Sequence, residues 1–376
     1  RRPDGSEEVC EASYLAGCDG AHSAVREALG VGFPGGTYAH VFYVADVAAS
    51  GPQINHELHV ALDDADFLAV FPMKGEGRAR LIGTVRWELE DRREALAWED
   101  VSKTVMARLR LTVRQVNWFS TYRVHHRVAE SFRRGRVFLA GDAAHIHSPV
   151  GAQGMNTGIA DAVNLAWKLA AVLQGRAMPA LLDSYEPERI AFARRLVATT
   201  DRAFTAVTSP RPLARLIRVG IVPRVLPRLA SLTVVRRFMF RTVSQIAVNY
   251  RASALSEGQA GGIRGGDRLP WIPPDPASGG AADNYAPLSS LDWQVHVHGK
   301  AGDELAQACG ARGLALHEFD WQPAAGRVGF KEGASYLVRP DGYVALADPA
   351  GSRAALEGYL ARHAVTPLRA AAAPAL

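Results

Sequence analysis

The spacing of apolar positions changes several times along this chain, and each change predicts an element. Residues Val137 to Ala140 are continuously apolar, the pattern of a strand buried on both faces of a sheet. Further on, Ile159, Val163, Trp167 and Ala170 recur three or four apart. That spacing predicts a long amphipathic helix, with Gly175 as its C-cap. Residues 38 to 88 break into short runs divided by turn residues: His40–Val47, Glu57–Val60, Phe67–Phe71 and Arg80–Arg86. They predict an antiparallel sheet, with a helical stretch from Trp98 to Leu109 closing it. Val9 to Gly17 reads as a strand beside the turn Pro3-Asp4-Gly5. Residues 176 to 256 read as helices, beginning with Leu181 to Thr199. Glycines from Gly261 and the prolines of Ile272 to Pro276 read as a linker. Beyond it, strand Trp293–His298, helix Asp303–Gly310, run Ala334–Ala345 and helix Gly351–His363 make a small α/β unit.

The chemistry concentrates between the buried strand and the long helix. Gly141 ends the strand and lets the backbone approach a ligand. Asp142 follows at the strand's carboxyl end, where open α/β sheets bind ligands. A loop rich in Gly and Pro then feeds the helix N-terminus, whose unpaired N–H groups suit an anionic or carbonyl-bearing ligand. Composition narrows the class. An apolar content of 48% with 22% charged residues describes an ordinary globular protein. A net charge of +5, without aromatic-interleaved basic motifs, gives no case for nucleic acid. Cys10, Cys18 and Cys309 form no CxxC and no disulfide framework, which fits a cytoplasmic setting. No apolar run is long enough to span a bilayer.

The residues Gly141-Asp142-Ala-Ala-His145, Pro149 and Gly151-Ala-Gln153-Gly154-Met155-Asn156 resemble the second flavin-binding motif of the FAD-dependent aromatic hydroxylases. That group contains the p-hydroxybenzoate and phenol hydroxylases. The resemblance implies that Asp142 bonds a ribityl hydroxyl of FAD and that Pro149 lies beside the isoalloxazine. It implies that amides of Gly154 to Asn156 meet the pyrimidine edge. Ala152 stands where the family has a second Gly. Upstream, Cys18-Asp19-Gly20-Ala-His22-Ser23-Ala-Val25-Arg26 resembles the family's Asp-Gly motif. It implies that Asp19 and Gly20 touch the pyrophosphate side of FAD, that Asp19 caps the helix Ser23–Leu29, and that Arg26 brings positive charge near phosphate. Tyr122, Arg123 and His125, on the strand leading back to the flavin motif, are candidates to orient a phenolic hydroxyl. No side chain stands out as acid or base.

The resemblance implies an α/β and α+β architecture. A Rossmann-like FAD-binding domain (residues 1–37 and 119–175) carries an inserted substrate-binding sheet (38–118), followed by a helical region (176–260), a thioredoxin-like C-terminal domain (261–368) and a tail (369–376). The family's N-terminal GxGxxG βαβ unit is expected to be missing from this chain. The implied activity is hydroxylation of a phenolic or polycyclic aromatic substrate with FAD, O2 and NADH or NADPH. Alternatives are a non-catalytic remnant that binds a partner, or a flavoprotein of other chemistry such as a halogenase. A homodimer built through the C-terminal domain is the family expectation. That domain lacks CxxC and so has no dithiol chemistry.

Three other patterns are set aside. Gly30-Val-Gly32-Phe-Pro34-Gly35 satisfies GxGxxG but follows a helix rather than a strand. His145 with His147, and His296 with His298, lack the further ligands a zinc site needs. From Arg202 to Ser256 no acidic residue occurs while arginines recur, but prolines break the tract too often for one membrane-surface helix.

Overall fold

The structure, a computed structural model, describes residues 4–62, 67–85, 96–101, 103–148, 153–208, 213, 216–274 and 283–367. Among these residues the strands form three sheets. In the first, β1 (Leu15–Gly17) lies parallel to β8 (Val137–Leu139), with β7 (Arg133–Arg134) antiparallel on the far side. Gly17 is required here: a Cβ would sit 2.9 Å from Val25 on the short helix α1 (Ala24–Ala28). The strand expected over Val9 to Gly17 pairs only at its last three residues, because residues 6–13 are exposed and include three glutamates.

The second sheet has the order β3 (His59–Leu62), β4 (Phe67–Pro72), β5 (Arg78–Thr84), β2 (Gly35–Ser50), β6 (Thr112–Val128), β9 (His145–Ile146), antiparallel throughout. Strands β2 and β6 are its spine. Val41, Tyr43, Ala45 and Val47 of β2 pack with Leu68, Leu81, Val105 and Met106 in one core. The helix expected from Trp98 to Leu109 is divided into a single 3-10 turn and α2 (Thr104–Arg108). Gly35 opens β2, so the GxGxxG at Gly30 to Gly35 leads into a strand and cannot serve a helix N-terminus.

The third sheet runs β11 (Ile263–Arg264), β10 (Glu257–Ala260), β15 (Val344–Asp348), β14 (Ser335–Val338), β12 (Gln294–His298), β13 (Ala315–Phe319). Strands β12 and β13 are parallel, and β14 and β15 return antiparallel. This is the thioredoxin order. The glycines read as a linker are a correction: Gly261 takes φ +60° in the tight turn between β10 and β11, an edge hairpin of this sheet.

Two long helices join the sheets: α3 (Gly154–Leu173) and α4 (Tyr185–Thr208). The helix predicted at α3 exists, but its faces are the reverse of the amphipathic expectation. Ile159 and Val163 are 54% and 44% exposed, while Thr157, Asp161, Asn164, Leu165 and Lys168 are buried. The polar residues go inside because each has a buried partner, described below. Further on, α5 (Val222–Ala230) continues through Pro223 and Pro227, and α6 (Thr233–Val243) follows it. No described helix is long and apolar enough to cross a membrane.

Candidate flavin-binding site

The site is built where β8 ends and α3 begins. Gly141 adopts φ +60°, a conformation glycine takes without strain, and opens a short 3-10 turn through Ala143. The next residue, Asp142, is exposed, and its carboxylate has no hydrogen-bond partner among the described residues. Helix α3 starts at Gly154 without a side-chain cap. The N–H groups of its first turn therefore stay open to an acceptor. Met155 and Asn156 are exposed, and Gln153 is buried. Pro149 and Gly151 lie outside the described residues.

The turn and the helix are braced from below. Asp161 Oδ2 accepts from the Gly141 amide (3.0 Å) and from His145 Nε2 (2.8 Å). Its Oδ1 accepts from Arg189 Nε at 2.6 Å. Burial pushes the Asp161 carboxyl up, but the His145 hydrogen bond and the Arg189 charge outweigh it and hold the group below its ordinary range. Arg189 also donates to Tyr250 Oη (2.9 Å) and to the Thr157 carbonyl (3.1 Å). Gln245 donates to Thr157 Oγ1 and to the Gln153 carbonyl, fixing the helix's first turn.

His147 completes this corner. Its Nδ1 is 2.7 Å from the Ser148 carbonyl, so Nδ1 carries the proton and Nε2 is an acceptor. Nε2 is buried beside Gly154 and has no partner among the described residues. Burial lowers the pKa of the imidazole and keeps it neutral. The histidine pair read from sequence is thus split: His145 serves the buried carboxylate and His147 faces the helix terminus.

The Asp-Gly loop reaches the same corner. Ser23 is the N-cap of α1, and Asp19 adds a second acceptor for the Val25 amide at 3.1 Å. The Ser23 hydroxyl and the amides of Val25 and Ala24 hold the Asp19 carboxyl below its usual range. Gly20 has φ +84°. Arg26 points inward: it is buried, donates to the carbonyls of Ala143 (3.0 Å) and Ala21 (2.9 Å), and stacks 3.9 Å over Phe33. Its charge therefore joins the two motif loops rather than standing free for phosphate.

The three strand candidates separate. On the second sheet Tyr122 stands opposite Phe42, which stands opposite Thr84. With Phe67 they form a row across four strands, the ring centroids of Phe42 lying 6.5 Å from Phe67 and 5.7 Å from Tyr122. Burial pushes the Tyr122 phenol up to about 12. Arg123 and His125 fall on the other face by strand alternation. His125 bonds Thr37 at 2.7 Å, and Arg123 Nε is buried with no partner among the described residues.

Comparison with known proteins decides the family. A family described as an FAD binding domain matches residues 1–200, over half of the chain. The chain belongs to that FAD-binding family. A flavin-dependent monooxygenase of Mycobacteroides abscessus is 32% identical over 372 residues, covering 95% of this chain and 68% of its own. A dialkyldecalin synthase of Streptomyces rugosporus is 32% identical over 359 residues, covering 94% of this chain and 70% of its own. Among solved structures, an aromatic hydroxylase from angucycline biosynthesis superposes with a TM-score of 0.70 at 29% identity, over 94% of this chain and 70% of that one. The chain spans 65% of a 6-methylpretetramide 4-monooxygenase from Streptomyces rimosus, to which it is 33% identical over 375 residues, 92% of this chain. Members of this family hold FAD, and the corner described above fits it: an open carboxylate, an uncapped helix terminus and an orphaned imidazole nitrogen converge there.

Sequence reasoning missed Asp161, Arg189, Thr157 and Gln245. One signal was present: Asp161 and Lys168 are the only charged residues of a largely apolar helix, and a charge taken inside with such a helix needs a buried partner.

Proposed function

We propose that this chain contributes the flavin corner and substrate sheet of an aromatic hydroxylase that uses NADH or NADPH and O2 on a phenolic or polycyclic aromatic compound. The observation that carries the reading is the exposed Asp142 at the end of β8, in a turn that packs on α3 near its uncapped N-terminus. Bound FAD would supply reduction by NAD(P)H and the activation of oxygen. Asp142 would accept from a ribityl hydroxyl, and the amides of Gly154 to Asn156 would donate to the ring's acceptor edge. Asp19 and Gly20 would border the pyrophosphate. The row Phe67, Phe42, Tyr122 puts an aromatic patch of tilted rings on one face of the sheet. With its pKa raised, Tyr122 stays protonated at neutral pH, so it orients a substrate oxygen by hydrogen bonding and does not act as a base.

Asp142→Ala is the test of the cofactor assignment. A hydrogen bond to a charged group is worth ~1.5–3 kcal/mol, so FAD affinity should fall roughly tenfold to a hundredfold. An unchanged dissociation constant removes Asp142 from the site. For the aromatic patch, Tyr122→Phe should raise KM roughly fivefold for a phenolic substrate, the worth of one hydrogen bond, with kcat little changed. A second chemistry has one observation in its favour: a relative of equal identity is a dialkyldecalin synthase. Substrate-dependent NAD(P)H oxidation with oxygen uptake separates the two, since hydroxylation needs both.

A further inference from the structure

We infer that Asp161 is a positioning residue for the flavin: its buried carboxylate fixes the Gly141 amide and so sets where Asp142 and the α3 terminus stand relative to one another. The inference rests on the flavin reading above. Helix α3 meets the turn at two points three residues apart. Gly158 packs on it through backbone, a Cβ there lying 3.3 Å from the Gly141 Cα. Asp161 then takes the Gly141 N–H. At φ +60° the direction of that amide decides which way the following peptide runs. With the amide turned inward, Asp142 is left on the outside. The same α3 supplies the open amides of its first turn, so one carboxylate ties both halves of the corner together. His145, held at 2.8 Å by Oδ2, secures the far end of the turn. Arg189 neutralises the carboxylate and orients Oδ1, which leaves Oδ2 for the loop.

A purely structural ion pair would show in stability alone, so the test compares two variants that both remove the pair. Asp161→Asn/Arg189→Gln removes both charges but keeps an oxygen within reach of the Gly141 amide. Asp161→Ala/Arg189→Gln removes the oxygen as well. Neither leaves Arg189 as a buried unpaired ion. FAD dissociation constants come from flavin fluorescence on the whole chain. Loop fixation is read as hydrogen–deuterium exchange of the peptide containing Gly141. The asparagine pair should bind FAD within about threefold of the unsubstituted chain, and the alanine pair at least about tenfold more weakly, the cost of losing hydrogen bonds to a charged acceptor. Exchange at Gly141 should quicken only in the alanine pair. Should that variant not fold, Asp161→Ser/Arg189→Gln, whose hydroxyl is too short for the amide, is read in the same way. Equal FAD binding and equal exchange in the two pairs overturn the assignment. All variants are read in the chain completed with a homologous N-terminal βαβ segment, and failure of the unsubstituted completed protein to bind FAD overturns the flavin reading itself, and the assignment with it.

Discussion

Two groups of buried polar residues in this protein follow opposite rules. Between α3, α4 and the third sheet, Glu188 accepts from Lys168 (2.8 Å) and, through both oxygens, from Arg339 (2.8 and 2.9 Å). Arg339 also pairs with Asp341 at 2.6 Å, and Trp167 donates to that carboxylate. Two cations face two anions, all at most 3% exposed. In β12, His296 and His298 are equally buried, yet among the described residues both nitrogens of His298 and one of His296 have no partner. Phe330 and Phe319 crowd His298 instead, with ring centroids at 4.0 and 5.0 Å. Burial pushes His296 down to about 3, aided by its histidine neighbours, and His298 down to about 4. A buried ion has to bring its counter-ion, and so it links distant elements. The imidazoles of β12 stay neutral and pack as flat polar rings, so they link no distant elements.

Arg339→Met should break that contrast most sharply. Removing one partner leaves charge uncompensated in the interior, at a cost of about 3–5 kcal/mol in a urea unfolding midpoint converted to free energy. A loss under about 1 kcal/mol would mean the network is no more than packing. Acid comes next. The folded imidazoles titrate below the unfolded value of 6.5, so from pH 6.5 down towards 4 the unfolded chain binds protons that the folded one refuses. Stability is complete above pH 6.5 and falls below it, by up to about 1.4 kcal/mol per pH unit for each imidazole. His298→Phe sharpens the point: it should shift stability at pH 8 by under about 1.5 kcal/mol, since ring replaces ring. It should also flatten the acid slope by one proton. The smallest effect belongs to Cys309, buried in α7 (Asp303–Arg312), its thiol pushed up to about 11 by burial. Cys309→Ser should leave NAD(P)H oxidation within about a factor of two, because an un-ionised thiol without a partner has no redox role.

What the sequence disclosed was local. The strand at Val137, the turn at Gly141 and the helix beyond Gly154 follow from short-range pattern and from a motif of consecutive residues. Strands β12, β14 and β15 lie in runs legible in the sequence, whereas β13 (Ala315–Phe319), half-exposed at the sheet edge, was not read. The partners of Asp161 were hidden because Arg189 is 28 residues away and Tyr250 is 61 beyond that. Periodicity alone placed Ile159 and Val163 on the core face of α3. The paired charges of Asp161 and Lys168 take part of the interior face, which leaves Ile159 and Val163 outside while Leu165 and Ala171 stay buried.

In α4 the glutamate and the arginine that hold these two systems are consecutive residues. Glu188 reaches the third sheet through Arg339, and Arg189 reaches the flavin turn through Asp161. Neighbouring side chains on a helix project about 100° apart. Rotating α4 about its axis to free one of them would tear the other away. Tyr250 closes the gap between them, accepting from Arg189 while its ring faces the Arg339 guanidinium at 5.3 Å. The turn at Gly141 and the docking of the C-terminal sheet therefore hang on one turn of α4, and a rotation of that helix would disturb both together.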